Sequence, residues 1–383
     1  MKLTEKIAIL SLSLLTVIAT AGIGPALSTI GIHFSSASEL TLKLVLTIPA
    51  LICIPVSLFT SYLTKTIAKK TLMIIGLILY TIGGVLGFFS PSIYFLIGSR
   101  ALLGVGLGML APISLVIIGD YFEGHEKAVF MGYSSAITNL GGVIAILIVG
   151  VLATTGWRYP FLVYLIAIPV LTVIVLFLPK KARFEHIHSN DDKHINLNKE
   201  VFKYAFMALT GYIVFYSVPT NVALLISSEK LGTPTTAGIL IAIVTLCGFI
   251  IGLIFGKLLK LLHNYIPVIS FLLMGLGIIP MGMGQSLLLI FIGIIFVGLG
   301  FGLVVPFAMF NASRCVHMKH AALGISIIAT GIYLGEFVSP LILGFISSLL
   351  KMNNINGSFY ASTIIAIIAA IIFFIDAKRT KIA

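Results

Sequence analysis

The chain has 383 residues, of which 59% are hydrophobic and 9% charged, with a formal net charge of +12. A soluble domain carries about 25% charged residues, so there is too little polar surface here to coat a globule. Apolar runs of about 20 residues match the hydrocarbon core of a bilayer. The basic excess therefore points to membrane topology and anionic headgroups, and not to nucleic acid.

The chain opens with MKLTEKIAILSLSLLTVIATAG, a basic start and an apolar core with small residues at Ala19 and Ala21. That pattern imitates a cleaved leader, but the segment is needed as the first of an even set of spans and is expected to be retained. Further spans are predicted at 40–62, 71–90, 92–119, 126–153 and 159–178, after a first at 7–31. The long polar stretch PKKARFEHIHSNDDKHINLNKE follows, and six more spans are predicted at 201–227, 235–258, 265–285, 287–312, 321–349 and 357–376. Segment length favours helices, since barrel strands are about 10 residues with alternating polarity. The expectation is an all-α integral membrane protein of 12 transmembrane helices. It divides into a bundle over 1–178, a cytoplasmic linker over 179–200 and a second bundle over 201–383.

Only Lys43, Arg158, Lys230 and Lys351 fall on one side of these spans, and Arg100 lies within one. The remaining 19 of the 24 Lys and Arg fall on the other side. Basic residues collect on the cytoplasmic side, so both termini are placed there. His186, His188 and His194 in the linker lack ordered metal-site spacing and read as part of a solvated segment. Cys53, Cys247 and Cys315 are isolated and read as packing residues. No metal or other cofactor is expected, no nucleotide loop is present, and no nucleophile–base constellation lies in the spans, so an enzyme is not expected.

The two halves repeat. At an offset of 194 residues, Gly104, Gly106, Gly108 and Pro112 fall on Gly298, Gly300, Gly302 and Pro306. The same offset carries Leu140, Gly141 and Gly150 onto Leu334, Gly335 and Gly344. Small residues recur because they let helix backbones approach closely in lipid. A duplicated six-span unit with its site between halves is a transporter architecture. Arg100 does not repeat, since Ile294 stands at its counterpart.

Three stretches carry a resemblance to a known family. FLIGSRALLGVGLG in span four has an apolar residue, Arg100, then Gly-x-Gly. SYLTKTIAKK joins spans two and three, and GWRYPF follows span five, where Gly141, Gly142 and Gly150 stand. With these the chain resembles the major facilitator superfamily over nearly its full length, and within it the 12-span drug:proton antiporters. It departs from that pattern in places. Leu103 replaces a frequent Gln, Lys65 an Asp, and Ala145 and Ile146 a Gly-Pro. The resemblance implies that Arg100 faces the central cavity and takes part in proton coupling. The alternative is an arginine snorkelling to the outer interface. With Lys65 in place of the acid, the cytoplasmic gate is expected to be held differently, either by a Lys65–Asp120 pair or with both groups solvated.

Glu336, in GIYLGEFVSPLI, is the acid deep within a span. Desolvation disfavours its charged form, so such a group takes up and releases a proton near neutral pH. Intramembrane acids mark pathways by default, although a permanently protonated packing group is the other reading. At 1.5 Å per residue, Glu336 and Arg100 lie within about 8 Å of one level. Asn139, Tyr212, Tyr216, Asn221, Phe307 and Asn311 are the candidate cavity residues, each also readable as core or lipid-facing.

The function expected is proton-coupled efflux of small amphipathic compounds or drugs by alternating access, with Glu336 and Arg100 as the coupling pair. The alternative is passage of a small polar or anionic metabolite bound directly by Arg100. A non-transporting membrane sensor is the reading from another class. The expected partners are a small-molecule substrate, protons and membrane lipid. The expected state is a monomer, multi-pass in a bacterial plasma membrane.

Overall fold

The computed structural model describes residues 3–64, 66–122, 124–178, 200–284, 286–315, 321–352 and 355–382. All regular structure among them is helical. Eleven helical stretches are long and apolar enough to cross a membrane. One of them, Pro234–Met283, runs for 50 residues. It contains two helices, Pro234–Leu262 and Ile266–Met283, separated by a tight turn in which His263 takes φ 48°. The expected set of twelve spans is therefore present.

Five of the first six spans are Glu39–Leu63, Lys69–Leu86, Ile93–Tyr121, Gly124–Thr155 and the Tyr159–Ile166 turn continued by helix Ala167–Phe177. Span one differs. It runs as helices Leu3–Ser11 and Leu15–Thr20, breaks, and resumes as Leu27–His33. The sequence at the break is Ala21-Gly22-Ile23-Gly24-Pro25. Proline cannot donate a backbone hydrogen bond, and a β-carbon at Gly22 would collide with the Ile18 carbonyl. Tighter pairing takes over, with Gly24 N–H to Ala21 O at 3.1 Å and Ala26 N–H to Ile23 O at 2.9 Å. Spans seven to twelve are Glu200–Ser228, Pro234–Leu262, Ile266–Met283, Leu287–Cys315, Ala321–Leu349 and Ile355–Ile382. Span seven is unbroken.

The chain forms two compact units, Met1–His188 and Ser189–Ala383. In the first, span four packs on spans two and three, span five on span one, and span three on span six. In the second, span ten packs on spans eight and nine, span eleven on span seven, and span twelve on span nine. The repeat seen in the sequence is thus a repeat of contacts. A β-carbon at Gly104 would sit 2.7 Å from Pro49 O on span two, and one at Gly106 would sit 2.5 Å from Tyr80 N on span three. In the second unit, Gly298 faces Cys247 and Val244 on span eight, while Gly300 would put a β-carbon 2.5 Å from Ser270 O on span nine. Alternate glycines on one helix therefore serve two different neighbours.

Charged ends fasten the first unit. Lys70 donates to Val175 O at 2.8 Å and to Leu178 O, capping the end of span six with a cation. Lys6 bonds Glu126 at 3.1 Å and lies over the stacked rings of Phe122 and Phe130. Between spans five and six, Gly156 takes φ 154°, a conformation that side chains resist. The turn it makes stacks Trp157 on His33, with ring centroids 4.5 Å apart.

Gly106→Ala and Gly300→Ala are each expected to cost about 1–3 kcal/mol, as overpacking of a filled contact does. Gly98→Ala and Gly344→Ala, where a β-carbon meets nothing within 4 Å, are expected to leave stability unchanged. Thermal unfolding of the purified variants in detergent checks the contrast, and equal stability of all four would contradict the packing role.

Candidate functional site

In the first unit the site is built around carbonyls that the helices cannot satisfy. An α-helix pairs the carbonyl of residue i with the N–H of residue i+4. Pro49 has no N–H, so the Val45 carbonyl lacks its helical donor. The break in span one puts the Ile18 and Ala19 carbonyls in the last turn of helix Leu15–Thr20, where such groups need outside partners.

Arg100 supplies them. It is completely buried. Its Nε donates to Val45 O at 3.1 Å, its Nη2 to Ala19 O at 2.6 Å and its Nη1 to the Tyr164 hydroxyl at 2.6 Å. The guanidinium also stands 5.0 Å from the Tyr164 ring centre. Tyr164 in turn donates to Ile18 O at 3.3 Å. Tyr80 OH bonds Leu15 O at 2.9 Å, and Thr138 Oγ1 bonds Ser13 O at 2.9 Å. Spans three, four, five and six therefore each send a hydroxyl or guanidinium to the backbone of span one. The negative end of the span-one helix dipole faces the cation, which lowers the cost of burying its charge.

Arg100, named from its motif, is therefore seated inside its own six-helix unit. Tyr80, Tyr164 and Thr138 are residues that the motif analysis missed. The available signal was a buried tyrosine, which needs a partner for its hydroxyl, together with a proline four residues after Val45. Lys43 is a further buried basic side chain among the described residues of the spans. Its side chain is 5% exposed and bonds Glu39 one turn earlier at 2.5 Å.

In the second unit Glu336 is 2% exposed, within span eleven. The preceding Gly335 packs on span seven, where a β-carbon would sit 2.9 Å from Tyr212 Cβ. The Glu336 carboxyl lies within electrostatic reach of Tyr212. Tyr212 belongs to a ring cluster with Tyr216 at 6.0 Å and Phe301 at 5.1 Å, and Phe215 stacks on Phe301 at 3.7 Å. The structure thus brings Glu336, Tyr212 and Tyr216 into one neighbourhood, and it adds Phe215 and Phe301.

The other candidate residues lie apart from that cluster or are engaged locally. Asn221 is nine residues beyond Tyr212, about 180° around the helix, and so occupies the opposite face of span seven. It donates to Ser217 O at 2.8 Å, while its buried Oδ1 has no hydrogen-bond partner among the described residues. Asn311 donates to Phe307 O at 2.9 Å, and Asn139 to Ser135 O at 2.8 Å. Phe307 lines a small, partly open crevice with Lys203, Tyr204, Asn264 and Asp376. There Lys203 bonds Asp376 at 3.0 Å. Asp120 lies near the end of span four. Lys65 lies outside the described residues, as do the proposed Lys65–Asp120 pair, residues 179–199 of the linker and its histidines. No cluster with metal-ligand composition occurs among the described residues.

Two six-helix units of membrane-spanning length, one holding a buried arginine and the other a buried carboxyl, define a polytopic helical membrane protein of the kind that carries solutes. The family described as the Major Facilitator Superfamily matches residues 9–267 and 204–382. The chain belongs to the major facilitator superfamily, whose members are membrane transporters and not enzymes. A solved bacterial homologue of the human lysosomal transporter Spinster shares the fold, with a TM-score of 0.77 at 16% identity. That match covers 98% of this chain and 96% of the other. The multidrug transporter protein MdtP of Bacillus subtilis is 29% identical over 119 residues, 31% of this chain and 21% of MdtP. The quinolone resistance protein NorA of Staphylococcus aureus is 33% identical over 106 residues, 28% of this chain and 27% of NorA. The matched segments therefore span about a quarter of these relatives' length.

Arg100→Met is expected to lower stability, since each buried carbonyl left without a donor costs on the order of 1–3 kcal/mol. Arg100→Lys keeps the charge but loses the planar fork and is expected to fall between Met and the parent. Melting temperatures in detergent give the ranking. A Met variant as stable as the parent would contradict the capping role.

Proposed function

We propose that the protein is a secondary transporter that exports small amphipathic compounds, driven by protons and working by alternating access. The observation that carries this reading is Glu336, a carboxyl 2% exposed in mid-span beside a cluster of aromatic rings. A carboxyl so placed is neutral when protonated and costly when charged, so its proton exchange changes the stability of whichever conformation buries it. The rings offer apolar walls with faces that attract positive charge, which suits neutral or monocationic amphipathic substrates. The sequence likeness to MdtP and NorA supports export of toxic compounds, over the part of the chain that it covers.

On this reading Glu336 carries the proton and Arg100 sets the geometry of the first unit. Tyr212 and Tyr216 line the substrate cavity with Phe215 and Phe301. Asn139, Asn221, Phe307 and Asn311 remain candidates for it, and Lys65 and Asp120 remain candidates for the gate. Direct binding of an anionic substrate by Arg100 is the weaker reading, because three of its donor positions already serve Val45 O, Ala19 O and Tyr164. The protein would work as a monomer in a bacterial plasma membrane with both termini in the cytoplasm.

Growth inhibition of cells with and without the protein, across a panel that includes a quinolone and ethidium, tests the export reading. Resistance to several unrelated compounds is expected, whereas sensitisation to a single metabolite analogue would point to uptake. In proteoliposomes with an imposed pH gradient, Glu336→Gln is expected to abolish accumulation of any compound so identified while leaving its binding measurable. Accumulation by the variant at the parent's level would remove Glu336 from proton coupling.

A further inference from the structure

Four features of the first unit are missing together from the second. Span one is broken, whereas span seven is continuous. Gly104 packs on Pro49, but its counterpart Gly298 packs on Val244, which has an N–H and leaves no carbonyl without its donor. Ile294 stands for Arg100, and at the same 194-residue offset Ser358 stands for Tyr164. The second unit also carries prolines inside its helices, Pro219 in span seven among them, but it has neither the break of span one nor the guanidinium and the phenol. Arg100 and Tyr164 thus accompany the break in span one and not the duplicated scaffold.

Two adjacent donors, Arg100 Nη2 and Tyr164 OH, face two consecutive carbonyls, Ala19 at 2.6 Å and Ile18 at 3.3 Å. Arginine has five N–H groups. The donors of Arg100 and Tyr164 thus lie side by side along the last turn before the break, within reach of neighbouring carbonyls of span one.

We propose that Tyr164 is a positioning residue for Arg100, and that the pair forms the pivot at which span one changes direction during transport. The hydroxyl accepts from Nη1 and so fixes the orientation of the guanidinium fork. The fork then holds span one at Ala19, beside its break, and span two at Val45, one turn before Pro49, so that both helices turn about one point. The proposal rests on membership of a transporter family and needs no particular substrate.

The test is a labelling rate. In full-length protein with Cys53, Cys247 and Cys315 replaced by alanine, Ser28→Cys places a reporter thiol in helix Leu27–His33, beyond the break. The protein is reconstituted in vesicles of phosphatidylethanolamine and phosphatidylglycerol and exposed to a charged methanethiosulfonate. Tyr164→Phe is expected to change the labelling rate about fivefold, the shift in a two-state equilibrium that one net hydrogen bond produces. Arg100→Lys is expected to act in the same direction, and the double variant to do no more than either single one. Ser362→Ala, which removes a buried hydroxyl bond to Val214 O in the second unit, is expected to leave the rate within about twofold, as a site outside the pivot should. A Tyr164→Phe rate equal to the parent's, or effects of the two substitutions that multiply, would overturn the proposal. Amide hydrogen exchange in Arg100→Lys gives a second measurement should Tyr164→Phe not accumulate. Faster exchange confined to residues 18–27 is expected, and a uniform rise across the first unit would mark a merely structural role and overturn the proposal.

Discussion

A bilayer offers no water to an unpaired carbonyl, and each one left bare in hydrocarbon costs several kcal/mol. The first unit meets that constraint at two places at once. Pro49 removes the helical donor of Val45, and the Gly22–Pro25 segment ends the helix that carries Ile18 and Ala19. One side chain, Arg100, reaches both places. The rest of the unit is arranged to keep it there. Gly104 and Gly106 bring span four against spans two and three, which sets the guanidinium at backbone distance. Gly84 lets span three lie directly on the Tyr164 ring. The arginine is thus held as much by the glycines as by its own hydrogen bonds.

Duplication and departure from duplication divide the labour. Glycines of spans four and ten pack against corresponding neighbours, spans two and three in one unit and eight and nine in the other, so they belong to a scaffold that both units share. The ionisable groups do not repeat: Ile294 stands for Arg100, and Glu336 falls opposite Gly142. A symmetric scaffold alone has no reason to prefer one proton state or one direction of movement. On the proposed reading, the buried carboxyl of Glu336 in one unit and the capped break in the other supply that preference, each within its own bundle.

The sequence revealed the scaffold because the scaffold is periodic. Hydropathy placed Ala321–Leu349 at its observed limits and most other spans within three residues, and the glycine offset foretold which contacts would recur. Hydropathy could not show the break in span one, because Gly22, Ile23 and Pro25 are as apolar as the helix they interrupt. Nor could it show the partners of Arg100. Those partners are backbone carbonyls, which every residue carries, and a tyrosine 64 positions away. Motif analysis found the charged residue and missed the uncharged ones around it. Lys43 escaped for a related reason: it stands close to the end of its span, where lysines ordinarily reach the headgroups, yet its side chain is buried and bonded to Glu39.

The capping role also explains why the buried cation is an arginine. A lysine ammonium is a point charge on a flexible stem, whereas the guanidinium presents donors at fixed angles over a wider span. Val45 O, Ala19 O and Tyr164 OH lie on three different helices and are met by three different nitrogens, an arrangement that one ammonium nitrogen cannot reproduce. The same geometry bears on substrate choice. An anion that drew the guanidinium to itself would have to compete with the Val45 and Ala19 carbonyls and leave them bare in an apolar surrounding. The attraction between anion and cation would be offset by that loss. A neutral or cationic substrate imposes no such exchange, and it leaves the backbone of spans one and two capped throughout.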